Sequence, residues 1–223
     1  MKCATHTLPV DGYVLYRAAA SSLLHQLHAL SNRLPPRLGG TWLRGEPGLP
    51  ALLNTGAMQA IAASYLGDEA RPVRAILFDK RPSDNWALGW HQDRTIAVRE
   101  RREVAGYGPW TVKQGILHVA PPFAVIEAMV TLRIHLDDTP RDNAPLLVSP
   151  GSHRLGLVAE RDIAAAVSAC GVMTCLAAAG DVWAYATPIL HASAASSGHA
   201  HRRVLQVDYT ATKLPEGLDW LGI

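Results

Sequence analysis

His91 and Asp93 stand two positions apart in Trp90-His91-Gln92-Asp93. On an extended strand, side chains two apart leave the same face, so this imidazole and carboxylate can occupy two corners of one metal ion. His191, a hundred residues later in Pro188-Ile189-Leu190-His191-Ala192-Ser193, can supply a third. Two histidines and a carboxylate on one face of an ion, with other positions open, form the donor set associated with non-haem Fe(II) oxygenases. A lone His-x-Asp is common by chance, so its company decides. An oxygenase also needs a reductant for O2, because side chains cannot supply the electrons. Arg202, eleven residues after His191, opens the apolar strand Val204-Leu205-Gln206-Val207-Asp208-Tyr209. Buried there, it would offer a carboxylate a planar, permanently charged fork. Ser193 shares a strand face with His191 and could add a hydroxyl donor.

The elements that must position these residues follow from the pattern around them. Residues 11–34 space Leu15, Ala19, Leu23, Leu27 and Leu30 at near-helical intervals behind Asp11, and Leu34-Pro35-Pro36 stops the run. Residues 50–66 read as a second helix. From Val73 onward, short apolar runs between turn residues predict strands near 73–80, 88–92, 95–99, 126–137, 145–149, 173–177, 181–185, 189–193 and 202–211. The fold class is therefore mainly β with flanking helices, a double-stranded β-helix or cupin-like jelly roll. In such a fold, strands distant in sequence become neighbours, which lets His191 meet His91. One domain is expected over 1–223, with a helical N-terminal buttress over 1–70 and a jelly-roll core over 71–212. Residues 100–122, rich in glycine and proline, are expected to be an irregular lid over the site. A short helix is expected from Ile163 to Val167.

Composition narrows the class. The chain has 223 residues, 48% hydrophobic and 18% charged, enough for one sizeable core. A formal charge of +2 is too small to argue for nucleic acid or a membrane surface. Cys3, Cys170 and Cys175 have neither a zinc spacing nor a disulfide framework, so a reducing cytoplasm is expected. The opening Met1-Lys2-Cys3-Ala4-Thr5-His6 has no apolar run behind it, and no signal peptide or membrane span is expected.

Taken in order, the motifs resemble the phytanoyl-CoA dioxygenase family of Fe(II)/2-oxoglutarate oxygenases over roughly residues 73–211. The parts are Trp90-His91-Gln92-Asp93, then Leu132-Arg133-Ile134-His135-Leu136-Asp137-Asp138. Ala144-Pro145-Leu146-Leu147-Val148-Ser149-Pro150-Gly151-Ser152-His153 follows, and His191-Ala192-Ser193 with Arg202 closes the set. Ala144-Pro145 departs from the family's usual Gly-x. The resemblance implies Fe(II) held by His91, Asp93 and His191. It implies 2-oxoglutarate on the metal, with its far carboxylate on Arg202 assisted by Ser193, and O2 as oxidant. It also carries Trp110 to the cosubstrate site. Related halogenases have a small residue where this chain has Asp93, so hydroxylation of a small-molecule metabolite is favoured over halogenation.

Other residues have plainer readings. His135 is read as a pocket or packing residue, His153 as a turn residue, and His199 and His201 as solvated. Gln114, Arg133 and Tyr107 are candidates for holding substrate, with Trp86 and Trp90 near the mouth. Arg133 could meet an anionic substrate or 2-oxoglutarate, or it could pair with Glu127, Asp137 or Asp138. The alternative for the whole chain is a cupin-like metal-binding protein without 2-oxoglutarate turnover, and Arg202 discriminates the two. Oligomeric state and substrate identity are not legible.

Overall fold

In the computed structural model, residues 6–35, 37–81, 85–197, 200–215 and 217–223 are described. Cys3, Pro36 and His199 lie outside them. The strands are β1 (Tyr13–Tyr16), β2 (Thr41–Trp42), β3 (Arg71–Lys80), β4 (Leu88–His91), β5 (Ile96–Ala97), β6 (Trp110–Lys113) and β7 (Ile116–Val119). They continue as β8 (Met129–His135), β9 (Leu146–Val148), β10 (Met173–Cys175), β11 (Val182–Ala186), β12 (His191–Ser193) and β13 (Arg202–Thr210). The helices are α1 (Leu8–Asp11), α2 (Leu24–Arg33), α3 (Leu49–Leu53), α4 (Gly56–Leu66), α5 (Phe123–Glu127) and α6 (Ile163–Cys170).

A large sheet in the order β1-β11-β8-β13-β3-β2 and a smaller one in the order β10-β9-β12-β4 form the jelly roll, all their pairings antiparallel. A third sheet, β5-β7-β6, stands beside them. Strand β13 shows how the sequence divides the labour. Leu205, Val207 and Tyr209 face the helices, where they pack with Leu27 of α2, Leu49 and Leu53 of α3 and Met58 of α4. Each such buried aliphatic side chain is worth roughly 1.5–3 kcal/mol. The alternate residues Arg202, Gln206 and Asp208 face inward, as the two-residue period of a strand requires. Between the sheets, Tyr13, Leu146, Val148, Cys175, Trp183, Tyr185 and Ile189 make a second, smaller core.

Three expectations are corrected. Residues 11–34 are not one helix. Tyr13-Val14-Leu15-Tyr16 is an aromatic and β-branched run that pairs with β11, and helix proper begins at Leu24. Asp181 fixes the bend between them, accepting from the Ala18 backbone N–H at 2.8 Å and from Arg17 Nη1 at 2.8 Å. The N-terminal buttress is thus not purely helical, since β1 and β2 belong to the large sheet. Residues 100–122 are not wholly irregular, because 110–119 form the hairpin β6–β7. Its two turn residues, Gln114 and Gly115, both have positive φ (51° and 78°), as a tight twisted hairpin needs. Finally, the strand expected from 126 begins at Met129, because Phe123–Glu127 is helical. Among the described residues no helix is long and apolar enough to cross a membrane.

Candidate metal centre and active site

Strands β12 and β4 pair so that His191 lies opposite His91, with ring centroids 4.2 Å apart. Asp93 follows two residues beyond the end of β4. One donor atom from each of the three lies within 4.8 Å of the others. In both histidines Nδ1 meets a backbone carbonyl, Gly89 O at 2.8 Å for His91 and Ile189 O at 2.9 Å for His191. A carbonyl only accepts, so Nδ1 carries the proton and Nε2 keeps its lone pair for a metal. Burial, with His91 close by, lowers His191 to about 4 against the pull of Asp93, so its ring is neutral at working pH. Burial alone would raise Asp93, but the Arg74 guanidinium and the two histidines hold it at about 2. Two imidazoles with Nε2 turned to the cluster and one carboxylate fit a divalent ion, and they fit iron in particular by donor type.

Behind Asp93 stands a buried network. Arg74 donates from Nη2 to Asp93 Oδ2 at 2.9 Å and from Nε to Asp208. Asp208 Oδ1 also accepts from Thr131 Oγ1 at 2.9 Å, and Thr131 meets Thr187 at 3.0 Å. Burial pushes the Asp208 carboxyl above its ordinary value. Arg74 thereby occupies one Asp93 oxygen and leaves the other for a metal.

The cluster opens into a cavity of about 300 Å3. Arg202, Ser193, Arg133 and Gln114 line it, as do Trp42, Arg74, Lys80, Trp86 and Gln206. Arg202 is 1% exposed, yet its Nε and Nη2 have no partner among the described residues. Burial, and then Arg133, lowers it to about 9. A guanidinium aimed into a cavity without an acceptor is a cradle for an anion, and a carboxylate matches its fork. Lys80 lies opposite Arg202 in register. Its Nζ donates to Trp86 O (2.7 Å), Ala194 O (3.0 Å) and Ser193 Oγ (3.2 Å). Ser193 in turn donates to Ala144 O at 3.2 Å.

Not every residue named from the sequence arrives here. Trp110 and Tyr107 pack against the apolar cluster of Ile96, Val98, Val119 and Ile126 instead of lining the cavity. Trp110 opens β6 opposite Val119, and its ring packs into this cluster. The tryptophans at the cavity are Trp42 and Trp86, while Trp90 packs against Val158, Ile163, Val167 and Leu190. His201, expected to be solvated, bonds Asp79. Arg74, Lys80, Trp42 and Gln206 were not singled out in the sequence. The available signal was charge at alternate positions of an otherwise apolar strand, as in Arg74-x-Ile76-x-Phe78-x-Lys80.

Known proteins share this fold. The structure of EctD from S. alaskensis in its apoform superposes with a TM-score of 0.65 at 16% identity, covering 94% of this chain and 79% of that one. HygX from Streptomyces hygroscopicus, with nickel and 2-oxoglutarate bound, gives 0.63 at 15% identity over 94% and 86%. The non-haem α-ketoglutarate-dependent epimerase SnoN from nogalamycin biosynthesis gives 0.59 at 17% identity over 91% and 80%. No curated protein sequence matches the chain. The jelly roll with its His-Asp-His cavity defines a non-haem Fe(II)/2-oxoglutarate-dependent oxygenase. The chain belongs to the phytanoyl-CoA dioxygenase (PhyH) family, whose model matches residues 57–204.

Proposed function

We propose that this chain hydroxylates a small-molecule metabolite. In this reading His91, Asp93 and His191 hold Fe(II), and Arg202 holds the distal carboxylate of 2-oxoglutarate with Lys80 and Ser193 beside it. Bound there, iron would supply oxidation of a substrate C–H bond by O2, coupled to conversion of 2-oxoglutarate into succinate and CO2. The chain's own residues do the rest. Arg74 orients Asp93, the two backbone carbonyls fix the imidazole tautomers, and Trp42 and Trp86 wall the cavity against water. A cavity of about 300 Å3 lies at the small end for ligand pockets, which favours a small free metabolite. HygX with hygromycin B and EctD with 5-hydroxyectoine are small-molecule complexes on the same fold. Free Cys170 and Cys175 support a cytoplasmic location.

One observation carries the reading, a buried Arg202 whose Nε and Nη2 have no partner among the described residues, in the same cavity as the His-Asp-His cluster. Anaerobic titration with Fe(II) and then 2-oxoglutarate tests it through the visible charge-transfer band of the chelate. The band should form with the wild type and be lost in His91→Ala. In Arg202→Ala it should need at least about a hundredfold more 2-oxoglutarate, since a charge-assisted bidentate bond is removed. Iron bound without any band would overturn the reading.

A further inference from the structure

Three cations share the inner face of the large sheet at this cavity. Lys80, Arg133 and Arg202 are 3%, 5% and 1% exposed, so bulk water screens them little. None has an acidic partner among the described residues. Lys80 donates only to two carbonyls and the Ser193 hydroxyl. Arg133 donates from Nη1 to Gln206 Oε1 at 3.3 Å, and its Nε has no partner among the described residues. Of the three acids that the sequence offered Arg133, Glu127 is exposed at the end of α5 and the other two are engaged elsewhere. Asp137 takes the Arg203 fork at 2.7 and 2.9 Å, and Asp138 accepts from the Ala179 backbone N–H at 2.8 Å. The crowding is visible in Lys80, which burial and then Arg202 and Arg133 lower to about 7. Buried like charges without counter-ions are costly, so this arrangement makes sense only when anions enter.

The cosubstrate does not supply enough of them. If 2-oxoglutarate binds as proposed above, one of its carboxylates belongs with the metal and only the other reaches this face. That one suits Arg202 and Lys80, which are neighbours across β13 and β3. Arg133 is left over. Its side chain starts on β8 and crosses β13 to place its guanidinium over the Phe78 ring of β3, 5.1 Å from the centroid. Phe78 adjoins Gly40, where an added Cβ would stand 3.0 Å from the ring. The exposed residues lining the cavity, Gly39, Leu88, Lys113 and Gln114, mark its mouth on this side. The spare guanidinium therefore faces the way in.

We infer that the primary substrate is an organic acid whose carboxylate is received by Arg133, stacked on Phe78 and apart from the cosubstrate's seat on Arg202. The inference rests on the proposed function, because it gives Arg202 to 2-oxoglutarate. The fork of Arg133, with Nε free, is shaped for a planar carboxylate, and the aromatic walls Trp42, Phe78 and Trp86 suit an apolar remainder.

Matched acid and amide probes separate the possibilities: phenylacetate with phenylacetamide, indole-3-acetate with indole-3-acetamide, and hexanoate with hexanamide. Each is added anaerobically to protein loaded with Fe(II) and saturating 2-oxoglutarate, and binding is read from the perturbed charge-transfer band. At least one acid should bind about tenfold or more tightly than its amide, because a charge-assisted bond to a buried guanidinium is at stake. Arg133→Met should abolish that preference and Arg133→Lys should restore part of it. In both variants the 2-oxoglutarate dissociation constant should stay within about threefold of wild type, well below the tenfold loss expected of a missing charged contact. The thermal midpoint of ligand-free Arg133→Met should not fall, whereas a purely structural arginine would lower it. The inference is overturned if no acid outbinds its amide, or if Arg133→Met loses 2-oxoglutarate as severely as Arg202→Ala. The second outcome would seat Arg133 on the cosubstrate and leave the proposed function standing. A wild type that forms no band at all would instead remove the proposed function itself.

Discussion

A carboxylate on a metal has two oxygens, and what occupies the second decides how firmly the first is aimed. Arg74 holds Asp93 Oδ2 at 2.9 Å, and Asp208 holds Arg74 from behind. Removing the arginine alone would strand a buried Asp208, so the informative change is the pair Arg74→Met with Asp208→Asn. Loss of an outer partner of a ligand commonly costs about 10–100-fold in metal affinity, and that range is expected for Fe(II) or Co(II) binding to the double variant. Unchanged affinity would show that Asp93 needs no guide. Lys80 gives a second residue-scale prediction, in pH. Its ammonium is lowered to about 7, so above that pH the ligand-free pocket has given up the proton. An incoming dicarboxylate favours the charged form and must then take a proton up. Affinity for 2-oxoglutarate should be tightest below about pH 7 and weaken towards pH 8 in equilibrium titrations. In Lys80→Met it should be weaker throughout and flat over that range. An equal slope in the variant would place the titration elsewhere.

The elements explain what the sequence made legible. Strands β4, β12 and β13 were readable because their chemistry lies on short alternating runs, and pairing β4 with β12 brings His91 and His191 face to face as their motifs require. The hairpin β6–β7 was hidden by the glycines and prolines around it, although Trp110-Thr-Val-Lys-Gln-Gly-Ile-Leu-His-Val alternates and carries a two-residue turn. Trp110 shows the limit of counting along a chain, since one step of register decides which side of a strand a ring occupies. Arg74 and Lys80 stayed unread because charge in an apolar strand has meaning only once the face it points to is known. The edge strand β2 adds a testable constraint. Gly40 precedes it at φ 97°, and a Cβ there would stand 2.7 Å from Ile76 Cγ2 and 3.0 Å from Phe78. Gly40→Ala should cost about 1–3 kcal/mol in urea denaturation, through backbone strain and this clash together. Gly39→Ala also has positive φ, but its nearest contact is Gln114 Nε2 at 3.9 Å, so it should cost less. Equal losses would mean that strain alone, and not the contacts with Ile76 and Phe78, sets the cost.

Across the whole molecule, stability and chemistry reside on opposite faces of one sheet. The outer face, with Leu132, Ile134, Leu205 and Val207 under the helices, is apolar and closed. The inner face carries Arg74, Lys80, Arg133, Arg202 and Gln206 into a cavity. Changes on the two faces should therefore have opposite signatures. Leu132 is fully buried, and Leu132→Ala should lose about 2–5 kcal/mol in urea denaturation whether or not ligands are present. Arg202→Met removes a buried cation without a partner, so the ligand-free protein should be no less stable than wild type and is expected to gain. Adding Fe(II) and 2-oxoglutarate anaerobically should reverse that order. A ligand at a hundred times its dissociation constant stabilises by about 2.7 kcal/mol, and the variant with weakened affinity forgoes most of it. The crossing of the two stability orders is the measurement that matters. If Arg202→Met is destabilised in the ligand-free state as Leu132→Ala is, the arginine is holding the sheet together and not waiting for a carboxylate.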